Sequence, residues 1–198
     1  MKNPVPDHVG DPVSGPSSVN LPNVLTAFRL VLVPIFIYYL TIFSDSIFNQ
    51  WIAALFYFVA AMTDVLDGYL ARKNNQITNW GKIADPIADK ALTGSAFIGL
   101  SLLGVIAWWI TVVILVRELA VTVLRFYVIR RGVIPASRGG KAKTLSQNIA
   151  IVAFLLPLPA VLEFFPVTVL YFAIILTLAT GFDYVRKAQV LMANKKGS

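Results

Sequence analysis

Four aspartates stand in an otherwise apolar part of the chain, at spacings that bring carboxylates together. Asp64 and Asp67 are three positions apart, and Asp85 and Asp89 are four apart. Residues at these spacings share one face of a helix. The connection over residues 68–84 is short enough to return the chain so that the two faces meet. The spacing therefore predicts one cluster of four carboxylates.

Four carboxylates in a partly dehydrated site repel one another strongly unless cations neutralise them. Two divalent ions carry the required charge. The chain has no cysteine and a single histidine, so the available ligands are oxygens, which favour Mg²⁺, Mn²⁺ or Ca²⁺ over zinc. Any one of these aspartates alone is equally well read as a solvated cap or an ion-pair partner. The four together favour a metal site.

The residues around the carboxylates leave room for a close-packed anionic ligand. Gly68 and Ala71 remove side-chain bulk, and Arg72 adds a fixed cation one turn on from the first pair. We expect Gly81 to break the helix before the second pair and to let a ligand approach the backbone. We expect Pro86 in the first turn of the third helix, where its missing N–H costs nothing.

The composition indicates that a membrane protein positions these residues. Of the 198 residues, 57% are hydrophobic and 14% are charged, and the mean hydropathy is +0.72. This composition argues against a water-soluble globular domain, because such a surface is not solvated. The net charge of +7 favours an anionic membrane surface or anionic substrates over nucleic acid in so apolar a chain.

Uncharged intervals between ionisable residues predict an all-α polytopic membrane protein with six transmembrane helices. The interval from Lys82 to Arg131 corresponds to ~73 Å of helix, more than twice the ~30 Å hydrocarbon thickness, so the chain must turn near Gly104. The six helices are predicted at roughly 23–43, 49–72, 83–103, 105–131, 144–159 and 166–190.

The distribution of positive charge predicts the orientation of these helices. Lysines and arginines collect in cytoplasmic loops, and in this chain they fall on one side only, at Lys2, Arg72, Lys73, Lys82, Arg130, Arg131, Arg138, Lys141, Lys143, Lys195 and Lys196. Both termini are therefore predicted to be cytoplasmic. Trp51, Trp108 and Trp109 are read as anchors at the outer interface, with burial in the core as the alternative.

The chain is predicted to have one folded domain preceded by a tail. Residues 1–20 are rich in proline, glycine and polar side chains, and they have too little apolar surface to offset the entropy of ordering. We expect a disordered cytoplasmic tail there and the six-helix membrane domain over residues 21–198.

The run from Asp64 to Asp89 resembles the signature of the CDP-alcohol phosphotransferase family. Every fixed position of that signature is matched, by Asp64, Asp67, Gly68, Ala71, Arg72, Gly81, Asp85 and Asp89. The first helix also begins as family members do, with Asn23, Thr26 and Arg29, and the resemblance covers residues 20 to about 190. It implies a membrane enzyme in which the hydroxyl of a second substrate displaces CMP from a CDP-linked lipid or alcohol.

The second half of the chain carries charges of its own, which indicate what kind of molecule the second substrate, the acceptor, is. Arg117 and Glu118 lie inside the fourth helix, and Arg117 and Arg125, eight positions apart, share a face that we expect to point towards a cytoplasm-accessible cavity. Neighbours on a helix do not face each other, so a pair between Arg117 and Glu118 is not assumed. Several cations facing a metal-bound diphosphate suit an acceptor that is a phosphate monoester.

The segments around Arg117, around residues 81–90 and around residues 140–147 are similar to those of bacterial phosphatidylglycerophosphate synthases. The resemblance implies CDP-diacylglycerol as donor, sn-glycerol 3-phosphate as acceptor, a homodimer, and a cytoplasm-facing active site in the bacterial cytoplasmic membrane. The alternatives left open are another acceptor, either phosphatidylglycerol or an inositol phosphate, and a cation transporter, for which intramembrane carboxylates are also expected.

The resemblance also implies roles for individual residues. Two Mg²⁺ ions, with Mn²⁺ as the other possibility, are expected on the four aspartates, and Asp89 is the candidate general base. Contacts to the CDP donor are expected from Asn23, Thr26, Gly68, Ala71, Arg72 and Gly81. Contacts to the acceptor phosphate are expected from Arg117, Arg125, Arg138, Lys141 and Lys143. For the loop cations Arg138 and Lys143, the cytoplasmic charge bias is an equally good explanation.

Overall fold

The computed structural model describes residues 21–42, 45–73, 79–128 and 138–194, and within these ranges it is helical with no strand. The described chain forms six α-helices: α1 (Leu21–Thr41), α2 (Ile47–Lys73), α3 (Asn79–Leu102), α4 (Trp108–Val128), α5 (Arg138–Leu155) and α6 (Phe164–Asn194). A short 3₁₀ turn at Ala160–Leu162 precedes α6. The predicted all-α class is confirmed. The predicted tail lies outside the described residues.

The turn predicted near Gly104 is present between α3 and α4. Gly104 has a φ of +72°, a left-handed conformation that glycine adopts without the strain of a Cβ. The backbone N–H of Gly104 donates to the carbonyl of Ser101, and that of Val105 to the carbonyl of Leu100, so carbonyls at the end of α3 are satisfied.

Two predictions about the start of α3 are wrong. Gly81 does not break the helix, because α3 already begins at Asn79, and Pro86 lies inside the helix rather than in its first turn. A proline inside a helix removes one backbone hydrogen bond, but its fixed φ is itself helical. The start of α5 also differs: it begins at Arg138, six residues before the predicted position, because a helix continues through charged residues that a count of uncharged intervals leaves out.

Three of the helices in the described ranges are long and apolar enough to cross a membrane, over Asn23–Thr41, Ile47–Leu70 and Ala160–Met192. The helices α3, α4 and α5 are not apolar enough by the same measure, because each carries three or more charged side chains along its length. Most of these charges are ones that the sequence assigns to the site. Six membrane spans therefore stay a prediction.

The helices pack as two groups, α1–α3 and α4–α6, and the contact between α2 and α5 is one of those that join them. α1 lies along α2 and also contacts α3, α5 lies along α6, α4 contacts α6, and α2 contacts α5. Alanines at the contacts, among them Ala53, Ala60 and Ala96, are fully buried and let the helix axes approach closely. The rings of Phe36 and Tyr57 pack in the same core, with centroids 5.4 Å apart.

Large apolar side chains are exposed along each of the six helices. Extensive exposed apolar surface of this kind marks contact with a membrane or a partner. Trp51, Trp108 and Trp109 are 55%, 50% and 52% exposed, which excludes the alternative that they are buried core residues. Their exposure favours the interfacial interpretation.

Candidate active site

One face of α1 is polar and buried. Asn23, Thr26 and Arg29 follow one another at intervals of three residues, and their exposed fractions are 6%, 1% and 0%. Arg29 carries the only charge in α1. A charged side chain buried in an apolar helix requires a partner, and both α2 and α3 pack against this helix.

Arg29 finds its partners in the first aspartate pair. Its Nη1 donates to Oδ1 of Asp64 over 2.6 Å, and its Nη2 forms a second ion pair with Oδ2 of Asp67. Asp67 is buried, whereas the side chain of Asp64 is 36% exposed. The guanidinium thus holds two carboxylates of α2 at once, and its Nε is buried without a hydrogen-bond partner.

Thr26 connects the two aspartate pairs. Its hydroxyl oxygen lies 2.6 Å from Oδ1 of Asp85 and 3.3 Å from Oδ2 of Asp67. A hydroxyl has one proton to donate, and the shorter contact identifies Asp85 as its main acceptor. The two faces predicted to meet do meet, and a side chain of α1 lies between them.

Asp89 lies one helical turn beyond Asp85 on α3 and is half-buried. It is within electrostatic range of Asp64 and Arg29, and also of Glu118 and Lys143. The fourth carboxylate therefore interacts electrostatically both with the aspartate cluster and with a cation of α5.

The donor set fits a hard divalent cation. Asp67 and Asp85 place carboxylate oxygens beside the hydroxyl of Thr26, and Asp64 is held by Arg29. Oxygen ligands select Mg²⁺, Mn²⁺ or Ca²⁺. The single positive charge of Arg29 leaves this group of carboxylates with an excess of negative charge. Among the described residues, no three acidic or histidine side chains approach closely enough to ligate one ion. The side chains of Arg29 and Thr26 contact Asp64, Asp67 and Asp85.

A second polar cluster joins α4, α5 and α6 around Glu118. Oε1 of Glu118 accepts from Nη1 of Arg117 over 3.0 Å and forms an ion pair with Nζ of Lys143. Arg117 is also tied to α6, through its Nε to the carbonyl of Thr177 over 2.9 Å and its Nη2 to Oγ1 of Thr180 over 2.7 Å. Arg117 and Glu118 do pair, a point that the sequence left open.

Arg117 and Arg125 share a face, as predicted, and α6 packs against that face. The guanidinium of Arg125 lies over the ring of Tyr184, with its central carbon 5.8 Å from the ring centroid, and its side chain is exposed. Both arginines contact residues of α6, and Arg117 also contacts Glu118 of α4. The face that they share was expected to point towards a cytoplasm-accessible cavity.

The cations of α5 occupy different environments. Lys143 is buried and Lys141 is exposed. The side chain of Arg138 lies outside those that the structure describes. Of the two lysines that the structure describes here, Lys143 is therefore the one that reaches inward, where it contacts Glu118 and is within electrostatic range of Asp89.

The structure describes the surroundings of three of the six residues that are predicted to bind the donor. Asn23 and Thr26 lie buried on the face of α1 that meets the aspartates, and Gly68 is half-buried beside Asp67. The side-chain surroundings of Ala71 and Arg72, and the surroundings of Gly81 within α3, fall outside what the structure describes.

The sequence reasoning missed the central residue of the cluster. The sequence pattern indicates Arg29 only as part of the start of the first helix, yet this residue contacts Asp64 and Asp67 directly. A signal was available, since it is a single charge in the 21 residues of α1 and buried intramembrane charges pair with one another. Its spacing of three from Thr26 put both on one face.

The model of the CDP-alcohol phosphatidyltransferase family matches residues 19–180. The chain belongs to that family. As a CDP-alcohol phosphatidyltransferase it is an enzyme, and the family resemblance seen in the sequence is confirmed. The match covers α1 through most of α6, so both polar clusters lie inside it.

Bacterial relatives resemble this phosphatidyltransferase over most of its length. A Mycobacterium tuberculosis H37Rv protein named probable phosphatidylglycerophosphate synthase is 52% identical over 172 residues, 85% of this chain and 81% of the relative. Proteins named CDP-diacylglycerol--glycerol-3-phosphate 3-phosphatidyltransferase are 40% identical in Bacillus subtilis 168 and 34% in Escherichia coli K12. These alignments cover 85% and 86% of this chain, and 94% and 95% of the relatives. The predicted similarity to phosphatidylglycerophosphate synthases is confirmed.

Proposed function

We propose that this phosphatidyltransferase transfers a phosphatidyl group from CDP-diacylglycerol to sn-glycerol 3-phosphate, which releases CMP and forms phosphatidylglycerophosphate. One observation carries this proposal: a relative named for this reaction is 40% identical and is covered over 94% of its length. The two polar clusters support it, because one is rich in carboxylates and the other presents cations.

The donor end of the site is assigned to the aspartate cluster. Asp64, Asp67, Asp85 and Asp89 would hold two divalent ions, Mg²⁺ by preference, and bound ions there would neutralise charge on the diphosphate and on the departing CMP. The support is the gathering of three of these carboxylates around Thr26 and Arg29. Asn23, Thr26, Gly68, Ala71, Arg72 and Gly81 are assigned to the CDP moiety.

Asp89 is assigned as the general base that accepts the proton of the attacking glycerol hydroxyl. Its position supports this role, because it lies beyond Asp85 and within electrostatic range of Lys143, on the side where an anionic acceptor would enter. General-base assistance is worth about 10²- to 10⁴-fold in rate.

The acceptor phosphate is assigned to the cations of the second cluster, Arg117, Arg125, Arg138, Lys141 and Lys143. Lys143 is the strongest of these candidates because it is buried and within electrostatic range of Asp89. The nitrogens of Arg117 already have protein partners on α4 and α6, so its contribution would be to position Glu118 and α6 as well as to attract the anion.

The membrane arrangement is also a proposal. We assign six spans, cytoplasmic termini, a cytoplasm-facing active site in the bacterial cytoplasmic membrane, and a homodimer. Three helices that are apolar enough to span, and the confinement of loop lysines and arginines to one side of the predicted topology, support it.

A panel of acceptors tests the function. The purified protein in detergent is given CDP-diacylglycerol with Mg²⁺ and either glycerol 3-phosphate, phosphatidylglycerol or an inositol phosphate, and CMP release is measured. We expect CMP only with glycerol 3-phosphate, and none in EDTA. Turnover with either other acceptor alone overturns the assigned substrate. Cation flux in liposomes without CMP release overturns the enzymatic assignment of the carboxylates.

A further inference from the structure

Arg29 has no role in the function assigned above, although it is the most completely buried charged side chain of the described residues. It contacts Asp64 and Asp67 through both terminal nitrogens. Arg29 therefore brings a full positive charge to the carboxylates.

The oxygens that Arg29 uses belong to the proposed metal ligands. Oδ1 of Asp64 accepts from Nη1 at 2.6 Å, and Oδ2 of Asp67 accepts from Nη2 while also lying 3.3 Å from the hydroxyl of Thr26. A carboxylate oxygen engaged in a short, charge-assisted hydrogen bond is a poorer ligand for a cation. A divalent ion placed on the same carboxylates would also be repelled by the guanidinium.

We infer that Arg29 is an internal counter-cation that competes with divalent ions for Asp64 and Asp67 and so lowers the affinity of the site for metal. This inference rests on the metal site of the proposed function. In the metal-free protein the guanidinium neutralises part of the carboxylate charge and keeps α1 and α2 together. When metal binds, it gives up at least part of that contact.

The unpaired Nε of Arg29 is consistent with a metal-free arrangement that changes when metal binds. Buried polar groups in proteins are nearly always hydrogen-bonded, and this nitrogen is the only buried side-chain N or O atom among the described residues without a partner. The arrangement with Arg29 between the two carboxylates therefore does not satisfy all of the donors that it buries.

A purely structural role predicts a different result from a competing role. If Arg29 only joins helices, its loss lowers stability equally with and without metal. If it competes, its loss lowers stability mainly without metal, and Mg²⁺ then binds more tightly because one opposing charge has been removed.

The experiment measures thermal unfolding of the full-length protein in detergent by intrinsic tryptophan fluorescence, first in EDTA and then along a MgCl₂ titration. Arg29→Gln removes the charge. Arg29→Lys keeps the charge, but the compact ammonium of lysine reaches one carboxylate, whereas the guanidinium of arginine reaches two. Arg186→Gln removes the same charge from an exposed position on α6 and serves as the control.

We expect Arg29→Gln to unfold at a lower temperature in EDTA and to reach half of its Mg²⁺ stabilisation at a concentration at least about five-fold lower than wild type, as loss of a unit charge a few ångströms away implies. Arg29→Lys should lie between the two, and Arg186→Gln should match wild type. An unchanged or higher Mg²⁺ midpoint in both Arg29 variants overturns the inference, and Arg29→Lys decides it alone if Arg29→Gln does not fold. A wild-type protein without any Mg²⁺ response overturns the underlying metal site itself.

Discussion

The hydroxyl of Thr26 donates a 2.6 Å hydrogen bond to Oδ1 of Asp85, which lies 59 positions later in the chain. This contact makes α1 a third wall of a site whose carboxylates come from α2 and α3. It also ties α1 to α3, while Arg29, one turn further along the same face of α1, contacts α2. The family signature in α2 and α3 is thus completed by polar residues of the preceding helix.

Thr26→Val tests this contact, since it keeps the shape of the side chain and removes the hydroxyl. The change leaves Asp85 without its donor, and a lost hydrogen bond to a charged group costs about 1.5–3 kcal/mol. We expect kcat for CMP release to fall by roughly ten-fold or more, which corresponds to that energy. Thr26→Ser restores the hydroxyl and should retain most of the wild-type rate. Equal rates in Thr26→Val and wild type would show that the contact does not position Asp85.

The main features of the fold could be predicted because they follow from the cost of charge in an apolar chain. The turn at Gly104 followed from length alone, since one helix through that region would be far longer than the bilayer is thick. The start of α3 could not be predicted in the same way. Gly81 and Pro86 read as helix breakers, but local propensity is a weak constraint that neighbouring helical turns and packing override.

The site could be predicted in part for a similar reason. The facing aspartate pairs followed from helical periodicity, which is local. The pairing of Arg29 with Asp64 and Asp67 depends on α1 packing against α2, and that contact spans more than 30 positions of sequence. The engagement of Arg117 by Thr177 and Thr180 was inaccessible for the same reason, because nothing in α4 specifies the docking of α6.

Asp67→Asn and Asp89→Asn should separate metal binding from base catalysis. Asp67 is buried against Arg29 and Thr26, so its neutralisation should abolish the stabilisation by Mg²⁺ and reduce turnover below detection. Asp89→Asn should lower kcat by about 10²- to 10⁴-fold, as expected for loss of a general base, while the Mg²⁺ response of the unfolding temperature persists. Asp183→Asn is a matched control on α6, where the carboxylate forms an exposed pair with Lys187. Near-normal turnover of Asp89→Asn would contradict the base assignment.

Glu118 and Lys143 should behave as a coupled pair in stability. Removal of one member of a largely buried ion pair leaves an uncompensated charge, and with Glu118 23% exposed we expect Glu118→Gln to lower the free energy of unfolding by about 2 kcal/mol. Lys143→Met should cost less, because Glu118 keeps its ion pair with Arg117. The double variant should lose less than the sum of the two, because neither charge is then left without its partner. Unfolding by SDS titration in mixed micelles measures all three, and strictly additive losses would show that the pair is not coupled.

Lys143 should also determine the affinity for the acceptor. A charge-assisted contact to phosphate is worth about 1.5–3 kcal/mol, so Lys143→Gln should raise the KM for glycerol 3-phosphate by roughly ten- to a hundred-fold. The KM for CDP-diacylglycerol should change little, since the donor is assigned to the aspartate cluster. Lys187→Gln, at an exposed position on α6, controls for the loss of one positive charge. A raised KM for the donor alone would place Lys143 at the other substrate.

Gly99→Ala should weaken the contact between α1 and α3 that holds Thr26 beside Asp85. A Cβ at position 99 would lie 2.1 Å from Cδ2 and 3.0 Å from Cγ of Leu40, and Leu40 is buried and has little room to move. Overpacking of this kind costs about 1–3 kcal/mol, and we expect a lower unfolding temperature together with reduced turnover. Gly94→Ala is the matched control on the same helix, because its Cβ would meet Leu115 at an ordinary 3.6 Å. Leu40→Ala removes the obstructing atoms, so the double variant with Gly99→Ala should be more stable than the sum of the single losses predicts. If the losses simply add, α1 and α3 do not approach each other closely at this glycine.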